Sequence, residues 1–330
     1  MERRGVDAVV LRRPANFAWF TGGADSKVDH VAPEGVADLI VRADSQVVLT
    51  STIEAARMRA EQTRAVDVVE YPWHEDRDAA LRDLLGDARA GSDLGLAGTV
   101  NLSDEIARLR WTLDTDAVES LRLVGRDATA AMADAAATIE AGMTEHEAAA
   151  ALAAACRRRG LTATVLLAAA DERIALYRHP LPVGATIERR AMLVASAERG
   201  GLYANLTRIV ELEEPDPELA RRLRACEEIL ARMRDEATRP GRTLAGAFAD
   251  CRRFYADAGF PDEWRLHHQG GLTGYGSREL IATPGTDHAI EPGQAFAWNP
   301  SITGAKAEET FVLTATGPEM VTGSAVAAAA

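Results

Sequence analysis

Short apolar runs separated by polar breaks fill the first third of the chain, a pattern typical of strands joined by turns. Helical spacing occurs twice among them, at 53–60 and at 76–85. Strands that alternate with helices predict a small α/β domain, which we place at residues 1–114. The predicted strands lie at 7–11, 37–41, 46–50 and 66–71.

The rest of the chain mixes helical periodicity and apolar runs without strict alternation, which predicts an α+β domain over residues 115–330. An Ala-rich segment at 116–139 predicts a long helix whose small residues permit close packing. Thr144 with Glu147 three residues later is a capping-box pattern, so a second helix is expected from there to a natural end at Gly160. Further helices are predicted at 215–237 and 243–258, and strands at 162–167, 192–196, 206–212, 294–298 and 310–314.

Composition and charge narrow the class of protein. Of 330 residues, 47% are hydrophobic, which is ample for a packed core in each of two domains. A net charge of −13 argues against nucleic acid or an anionic membrane as partner and favours a small-molecule ligand. Three cysteines without a CxxC spacing indicate a reduced, cytoplasmic protein in which all three are buried. The apolar run at 8–11 is too brief for a signal sequence or a membrane span, and the Ala-rich stretch 325–330 predicts a frayed end.

Five short patches carry a family likeness when they are taken in order along the chain. They are PANFAWFTG at 14–22, AGMTE at 141–145, LTR at 206–208, EWRLHHQGG at 263–271 and PGQAFAWNP at 292–300. Together they resemble the family that includes methionine aminopeptidase, aminopeptidase P, prolidase and creatinase. The resemblance implies a pitta-bread C-terminal domain, preceded by a smaller α/β N-terminal domain of the creatinase type. It also implies a homodimer.

The same resemblance gives a position here to each ligand of the family's two divalent cations. The first Asp falls within 194–197, the second Asp on Asn205, the His on Gly271 and the first Glu on Asn299. The second Glu is retained, as Glu308. One carboxylate cannot offset the charge of two cations, so we expect no metal and no other cofactor. A shifted register would bring His268 into the ligand position, which leaves a single adventitious cation open.

The resemblance also implies catalytic and substrate-binding residues. Arg178-His179-Pro180 is similar to the segment that carries the family's non-metal catalytic histidine, which could move a proton near neutral pH. One of His267 and His268 is expected to face the pocket, since neighbours on a strand point to opposite faces. Residues 275–279, YGSRE, are similar to creatinase's Tyr-Gly-Arg-Glu with one residue inserted, which implies that Arg278 grips a substrate carboxylate with two donors. The full expected set is His179, His267, His268 and Glu308 for catalysis, and Arg278, Tyr275, Asn205, Asn299 and Thr207 for substrate binding.

Three functions are compatible with these residues. The favoured one is a metal-independent enzyme acting on a small carboxylate-bearing, amino-acid-like substrate, most simply by hydrolysing a C–N bond with His179 as acid and base. The substrate, the bond broken and a lyase, isomerase or decarboxylase step stay open. A second function is a non-catalytic binding or scaffold protein that kept the fold. A third is a metal-dependent Xaa-Pro aminopeptidase with displaced ligands, for which Glu198 and Glu309 are the closest carboxylates.

Overall fold

The structure, a computed structural model, describes residues 1–323. The stretch 325–330, predicted as a frayed end, lies outside these residues. The chain forms two compact units, one of Met1–Arg110 and one that begins at Trp111. Within the described residues every helix is too short or too polar to cross a membrane.

A mixed sheet is the centre of the first unit. Its strands are β1 (Ala8–Leu11), β2 (Ala37–Arg42), β3 (Gln46–Ser51), β4 (Asp67–Tyr71), β5 (Ala90–Ser92) and β6 (Val100–Asn101). Within residues 1–110 they lie in the order β4-β3-β2-β1-β5-β6, with β2 antiparallel to both of its neighbours. Alternate strand residues are buried on opposite faces, Leu39 and Val48 on one and Ile40 and Leu49 on the other. The helices are α1 (Pro14–Thr21), α2 (Ala55–Arg57), α3 (Arg77–Leu85) and α4 (Ser103–Leu109).

The helix predicted at 53–60 differs from the one observed. The α-helix covers only Ala55–Arg57 and continues as a π-helix over Met58–Gln62. The Thr63 backbone N–H and hydroxyl both donate to the Met58 carbonyl, which closes the wider turn. Met58 is fully buried, whereas the apolar Ile53 is exposed, so packing of Met58 rather than helical periodicity positions this segment.

Helices and three sets of strands build the second unit. The helices are α5 (Thr115–Ala136), α6 (Glu145–Arg158), α7 (Arg173–Leu176), α8 (Pro217–Arg232) and α9 (Leu244–Asp257). The strands are β7 (Thr162–Ala170), β8 (Arg190–Arg199), β9 (Leu202–Glu211), β10 (Gly270–Thr273), β11 (Leu280–Ile281), β12 (Ala295–Trp298), β13 (Ser301–Ile302), β14 (Ala305–Lys306), β15 (Glu309–Thr314) and β16 (Gly317–Met320). Within residues 111–323 they form the sheets β7-β8-β9, β11-β10-β12-β15-β16 and β13-β14. This is the α+β architecture that the sequence predicts.

Local signals in the second unit are confirmed. Thr144 caps α6, and its capping box with Glu147 is complete in both directions. The cysteines Cys156, Cys226 and Cys251 are all buried and free, as their spacing predicts.

Strand β9 brings the two larger sheets of this unit together. The Thr207 backbone N–H donates to the Glu308 carbonyl at 3.2 Å, and the Asn205 N–H donates to the Thr310 hydroxyl at 2.8 Å. Tyr203 donates likewise to the Gly274 carbonyl at 2.9 Å. These hydrogen bonds join the edge strand β9 to β15 and to the segments that adjoin β10 and β15.

Candidate active site

A cavity of about 320 Å³ is lined by β7, β8 and the segments that adjoin β10, β12 and β15, and its volume falls in the range of small-molecule sites. One wall is apolar, from Val165 and Leu167 on β7 and Val194 on β8. The rest of the lining is polar and comes from segments that are distant in sequence. It consists of His179, Ser196, His268, Ser277, Arg278, Asn299, Lys306 and Glu308.

Three histidines meet at this cavity. His179 Nε2 lies 3.0 Å from His267 Nε2, and the His268 ring centre lies 4.6 Å from that of His267 and 5.8 Å from that of His179. Of the adjacent pair, His268 lines the cavity, whereas His267 lies behind the lining and contacts His179. The sequence left open which of the two faces the cavity, and both precede β10, which begins at Gly270.

Neighbouring contacts position these rings. His179 follows α7, and the preceding Arg178 anchors its loop by donating to Glu263 at 2.6 Å. His267 is 9% exposed, and its Nδ1 lies 3.3 Å from the Ser301 hydroxyl. Ser301 is itself held by Tyr255, whose hydroxyl accepts the Ser301 N–H at 2.8 Å. From this network we assign the proton of His267 to Nδ1, so its Nε2 accepts a hydrogen bond from His179 Nε2–H.

Burial keeps the histidines neutral. It lowers the pKa of His267 to about 2, with Lys306 adding a further lowering. Burial and then Arg278 lower the pKa of His268 to about 4. The pKa of the more exposed His179 is also lowered, by partial burial and then by Lys306. At pH 7 the cluster therefore consists of uncharged imidazoles, the form that accepts a proton.

Glu308 is bound through both carboxylate oxygens. Arg278 Nη2 donates to Oε1 at 2.6 Å, the Thr207 hydroxyl donates to Oε2 at 2.8 Å, and Lys306 Nζ lies 3.2 Å from Oε2. Burial alone would disfavour the carboxylate, but Lys306 and Arg278 hold the pKa of Glu308 at about 2. Two cations and one anion leave this part of the cavity with one net positive charge.

Arg278 reaches the cavity with part of its donor fork already engaged. Its Nη1 donates to the Ser277 carbonyl at 2.7 Å and its Nη2 to Glu308, while its Nε is buried without a hydrogen-bond partner among residues 1–323. The two hydrogen bonds that Arg278 was expected to donate to a substrate carboxylate would therefore have to come from the N–H groups that these contacts do not use.

Of the other expected binding residues, one lines the cavity and three lie outside its lining. Asn299 lines the cavity, and its Oδ1 is buried without a hydrogen-bond partner in the described part of the chain. Asn205 lies behind the lining, where it accepts from Ser196 and donates to the Thr273 hydroxyl at 3.2 Å. Thr207 supports Glu308 rather than facing the cavity. Tyr275 is buried outside the lining, and burial raises its pKa to about 12.

The residues present do not fit a pair of metal ions. The Asn205 amide is engaged by neutral hydroxyls, and both oxygens of Glu308 are engaged by Lys306, Arg278 and Thr207. At Gly271, the implied histidine position, a Cβ would lie 2.2 Å from the Leu280 carbonyl oxygen, so backbone occupies the space of a ligand side chain.

The carboxylates that could have substituted for the missing ligands lie elsewhere. Glu198 accepts the Gly201 N–H at 2.7 Å, in the turn between β8 and β9. Glu309 alternates away from Glu308 and lies 3.8 Å from Arg234 on the other side of the strand. Neither residue contributes to the lining of the histidine cavity.

Lys306 and Ser301 complete the site but were not singled out in the sequence. A lone lysine and a lone serine ordinarily read as surface residues. One signal was available for Lys306, since only two of the 37 basic residues are lysines in a chain that otherwise uses arginine. Lys306 is 5% exposed, so one of the two lysines of the chain is buried.

A pitta-bread unit that follows a smaller α/β unit in the sequence defines the class as two-domain proteins of the creatinase type. Residues 119–315 match the model of metallopeptidase family M24, and residues 1–124 match that of the creatinase/prolidase N-terminal domain. The chain belongs to metallopeptidase family M24. No curated protein matches it.

Solved structures share this fold over nearly the whole chain. The prolidase from Pyrococcus furiosus is 19% identical, with a TM-score of 0.80 and 98% of each chain covered. The X-Pro aminopeptidase from Thermotoga maritima is 20% identical, with a TM-score of 0.80, over 98% of this chain and 97% of that one. The N-terminal domain of the FACT complex subunit SPT16 from chickpea is 11% identical, with a TM-score of 0.70, over 97% of this chain and 91% of that one. At these identities the likeness shows the fold.

Proposed function

We propose that this chain is a metal-independent enzyme that hydrolyses a C–N bond in a small, carboxylate-bearing, amino-acid-like molecule. The observation that carries the proposal is the juxtaposition of a neutral histidine cluster with two cations in one cavity. Glu308 neutralises only one of those cations, so the site favours an anionic ligand.

The two sides of the cavity define the substrate class. A carboxylate would lie toward the remaining donors of Arg278, where charge-assisted hydrogen bonds are strong. An apolar group would lie against Val165, Leu167 and Val194. The substrate is therefore a small molecule with an anionic end and an aliphatic or similar side chain.

His179 is the group best placed to move protons. It is exposed to the cavity and neutral, and His267 holds its ring through the 3.0 Å bond. It would take a proton from water as the water oxygen adds to the carbonyl carbon, and give that proton to the nitrogen as the C–N bond breaks. Lys306 would stabilise the negative charge that develops on the carbonyl oxygen, while the remaining donors of Arg278 hold the carboxylate.

A substrate screen with matched variants tests this function. Among dipeptides and N-acyl amino acids, we expect turnover that EDTA leaves unchanged, because no step uses a metal. His179→Ala should lower kcat by roughly 10²- to 10⁴-fold, as expected for the loss of an acid–base group. Arg278→Lys should mainly raise KM, since a point charge cannot reproduce a planar fork. His146→Ala, at an exposed histidine of α6, is the control and should match the wild type.

Two results would contradict the proposal. One is activity that EDTA abolishes and a divalent cation restores. The other is full turnover in the His179→Ala variant.

A binding or scaffold role is the second candidate, favoured by the engagement of both Glu308 oxygens, which leaves this carboxylate without a free oxygen for acid–base chemistry. It predicts that small carboxylates bind in the cavity and are released unchanged. Calorimetric binding of an N-acyl amino acid, together with absence of product by mass spectrometry, would favour it over catalysis.

A further inference from the structure

We infer that His179, His267 and His268 form a binding site for one borderline-soft divalent cation such as Zn²⁺ or Co²⁺. One ring nitrogen from each histidine lies within 4.8 Å of the other two. This site goes beyond the proposed hydrolysis, because an ion bound there would block that reaction rather than run it.

The spacing of the first two histidines is close to that of a metal site. Two imidazole nitrogens on a tetrahedral Zn²⁺ at 2.0–2.1 Å are separated by about 3.3 Å. His179 Nε2 and His267 Nε2 are 3.0 Å apart, so a shift of a few tenths of an ångström would suffice. The cation would take the place of the proton that these two nitrogens share.

The surroundings favour His267 as the central ligand. Its Nδ1 faces the Ser301 hydroxyl at 3.3 Å, an arrangement that keeps the proton on Nδ1 and the Nε2 lone pair available. His268 is the weaker third ligand, because its Nδ1 accepts the Gly270 N–H at 3.2 Å. Binding through its Nε2 moves the ring proton to Nδ1 and gives up that backbone hydrogen bond.

The donor set selects the kind of ion. Imidazole nitrogen suits Zn²⁺, Co²⁺ and Ni²⁺, whereas Mg²⁺, Ca²⁺ and Mn²⁺ depend on oxygen ligands. The nearby carboxylate, Glu308, is already engaged by Lys306 and Arg278. Those two cations also lower the affinity for any dication, so ions held by strong nitrogen bonds are favoured.

A metal ion bound at this site would prevent His179 from acting as a base. With a metal ion on Nε2, the ring proton of His179 must sit on Nδ1, so no nitrogen is left to accept a proton from water. Zn²⁺ should therefore inhibit turnover, and EDTA should reverse the inhibition.

Metal binding can be measured without knowing the substrate. We would add Co²⁺ to the untagged, metal-stripped full chain and follow the visible absorption of four-coordinate Co²⁺, then count retained Zn²⁺ by equilibrium dialysis. We expect one ion per chain, an absorption band that is lost in His179→Ala and in His267→Ala, and no change in His146→Ala. Ser301→Ala should weaken Zn²⁺ binding by roughly tenfold, the usual effect of losing a partner of a ligand.

The controls separate this site from the proposed function. Circular dichroism shows whether each variant is folded. His179 is exposed, so the His179→Ala variant should keep the folded core. Absence of the absorption band, or equal binding in all histidine variants, would overturn the metal site and leave hydrolysis untouched. A band together with turnover that EDTA abolishes and the ion restores would confirm the site, and it would overturn both the inhibition by the ion and the metal-independent reaction.

Discussion

At the scale of single residues, Lys306 is the side chain on which the site's charge balance depends. It is 5% exposed and lies 3.2 Å from Glu308, which is itself buried. Removing one partner of a buried ion pair leaves the other charge uncompensated, and this is costly even where the pair itself contributes little.

Lys306→Met should therefore lower the free energy of unfolding by about 3 kcal/mol, and Lys306→Arg by less, because the charge is kept. Urea denaturation measures both, since urea does not screen charges. Lys27→Met is a matched control, because Lys27 lies 3.7 Å from the more exposed Asp25, and it should cost less than about 1 kcal/mol. Equal stability of the Lys306→Met variant and the wild type would show that Arg278 alone satisfies Glu308.

Residue identity alone could not predict how the site assembles. His179 and His267 are 88 positions apart in sequence, and their contact exists only because the fold brings their two segments together. Family likeness pointed to both histidines, but it said nothing of Ser301 or Lys306. The engaged fork of Arg278 also depends on side-chain geometry, which a sequence pattern does not contain.

At the scale of elements, β10 depends on two glycines. A Cβ at Gly270 would lie 2.1 Å from the Ala297 carbonyl oxygen, and one at Gly271 would lie 2.2 Å from that of Leu280. Both obstacles are backbone atoms of paired strands, β12 and the start of β11, so they cannot rotate away as a side chain would.

Gly271→Ala should destabilise the second unit by about 3 kcal/mol, the upper part of the usual range for overpacking. Gly274→Ala, three residues further on, would meet only the Leu113 side chain at 3.6 Å and should change stability by less than about 0.5 kcal/mol. Urea unfolding followed by tryptophan fluorescence compares them. A Gly271→Ala protein as stable as Gly274→Ala would mean that β10 can move away from β11.

Elements with local signals were the predictable ones. The capping box at Thr144 could be predicted because all its parts lie within four residues, and the structure confirms it. The start of β10 could not be predicted, because it depends on two backbone approaches from other strands. The π-helix at Met58–Gln62 could not be predicted either, since burial of Met58 decides it.

At the scale of the whole molecule, the neutral histidines make stability depend on pH. His267 and His268 have pKa values of about 2 and about 4 in the folded protein, against an ordinary value of 6.5. Below pH 6.5 these two histidines bind protons in the unfolded chain but stay neutral in the folded chain. The free energy of unfolding therefore decreases as pH falls from 6.5 toward 4. Glu308 has a folded pKa of about 2 against 4.5, which adds a further loss below pH 4.5.

We expect the free energy of unfolding of metal-stripped protein to fall between pH 6.5 and 4.5 by at most about 1.4 kcal/mol per pH unit for each such histidine. His267→Gln should remove the contribution of one histidine to that slope. Urea titrations at several pH values give the slopes directly. Parallel slopes for the wild type and His267→Gln would show that His267 is protonated in the folded protein.

The two-domain architecture of the whole chain could be predicted because its family patches occur in order from residue 14 to residue 300. The homodimer and the cytoplasmic location stay predictions. Neither follows from the packing of a single chain.

The backbone contacts at Gly271 bear on whether single substitutions could build the family's metal pair in this chain. Each substitution is unfavourable taken alone: a side chain at 271 meets backbone, and an aspartate at 205 would be a buried charge among hydroxyls. Glu308 would still be held by two cations after either change. A metal pair at these positions therefore requires several simultaneous substitutions.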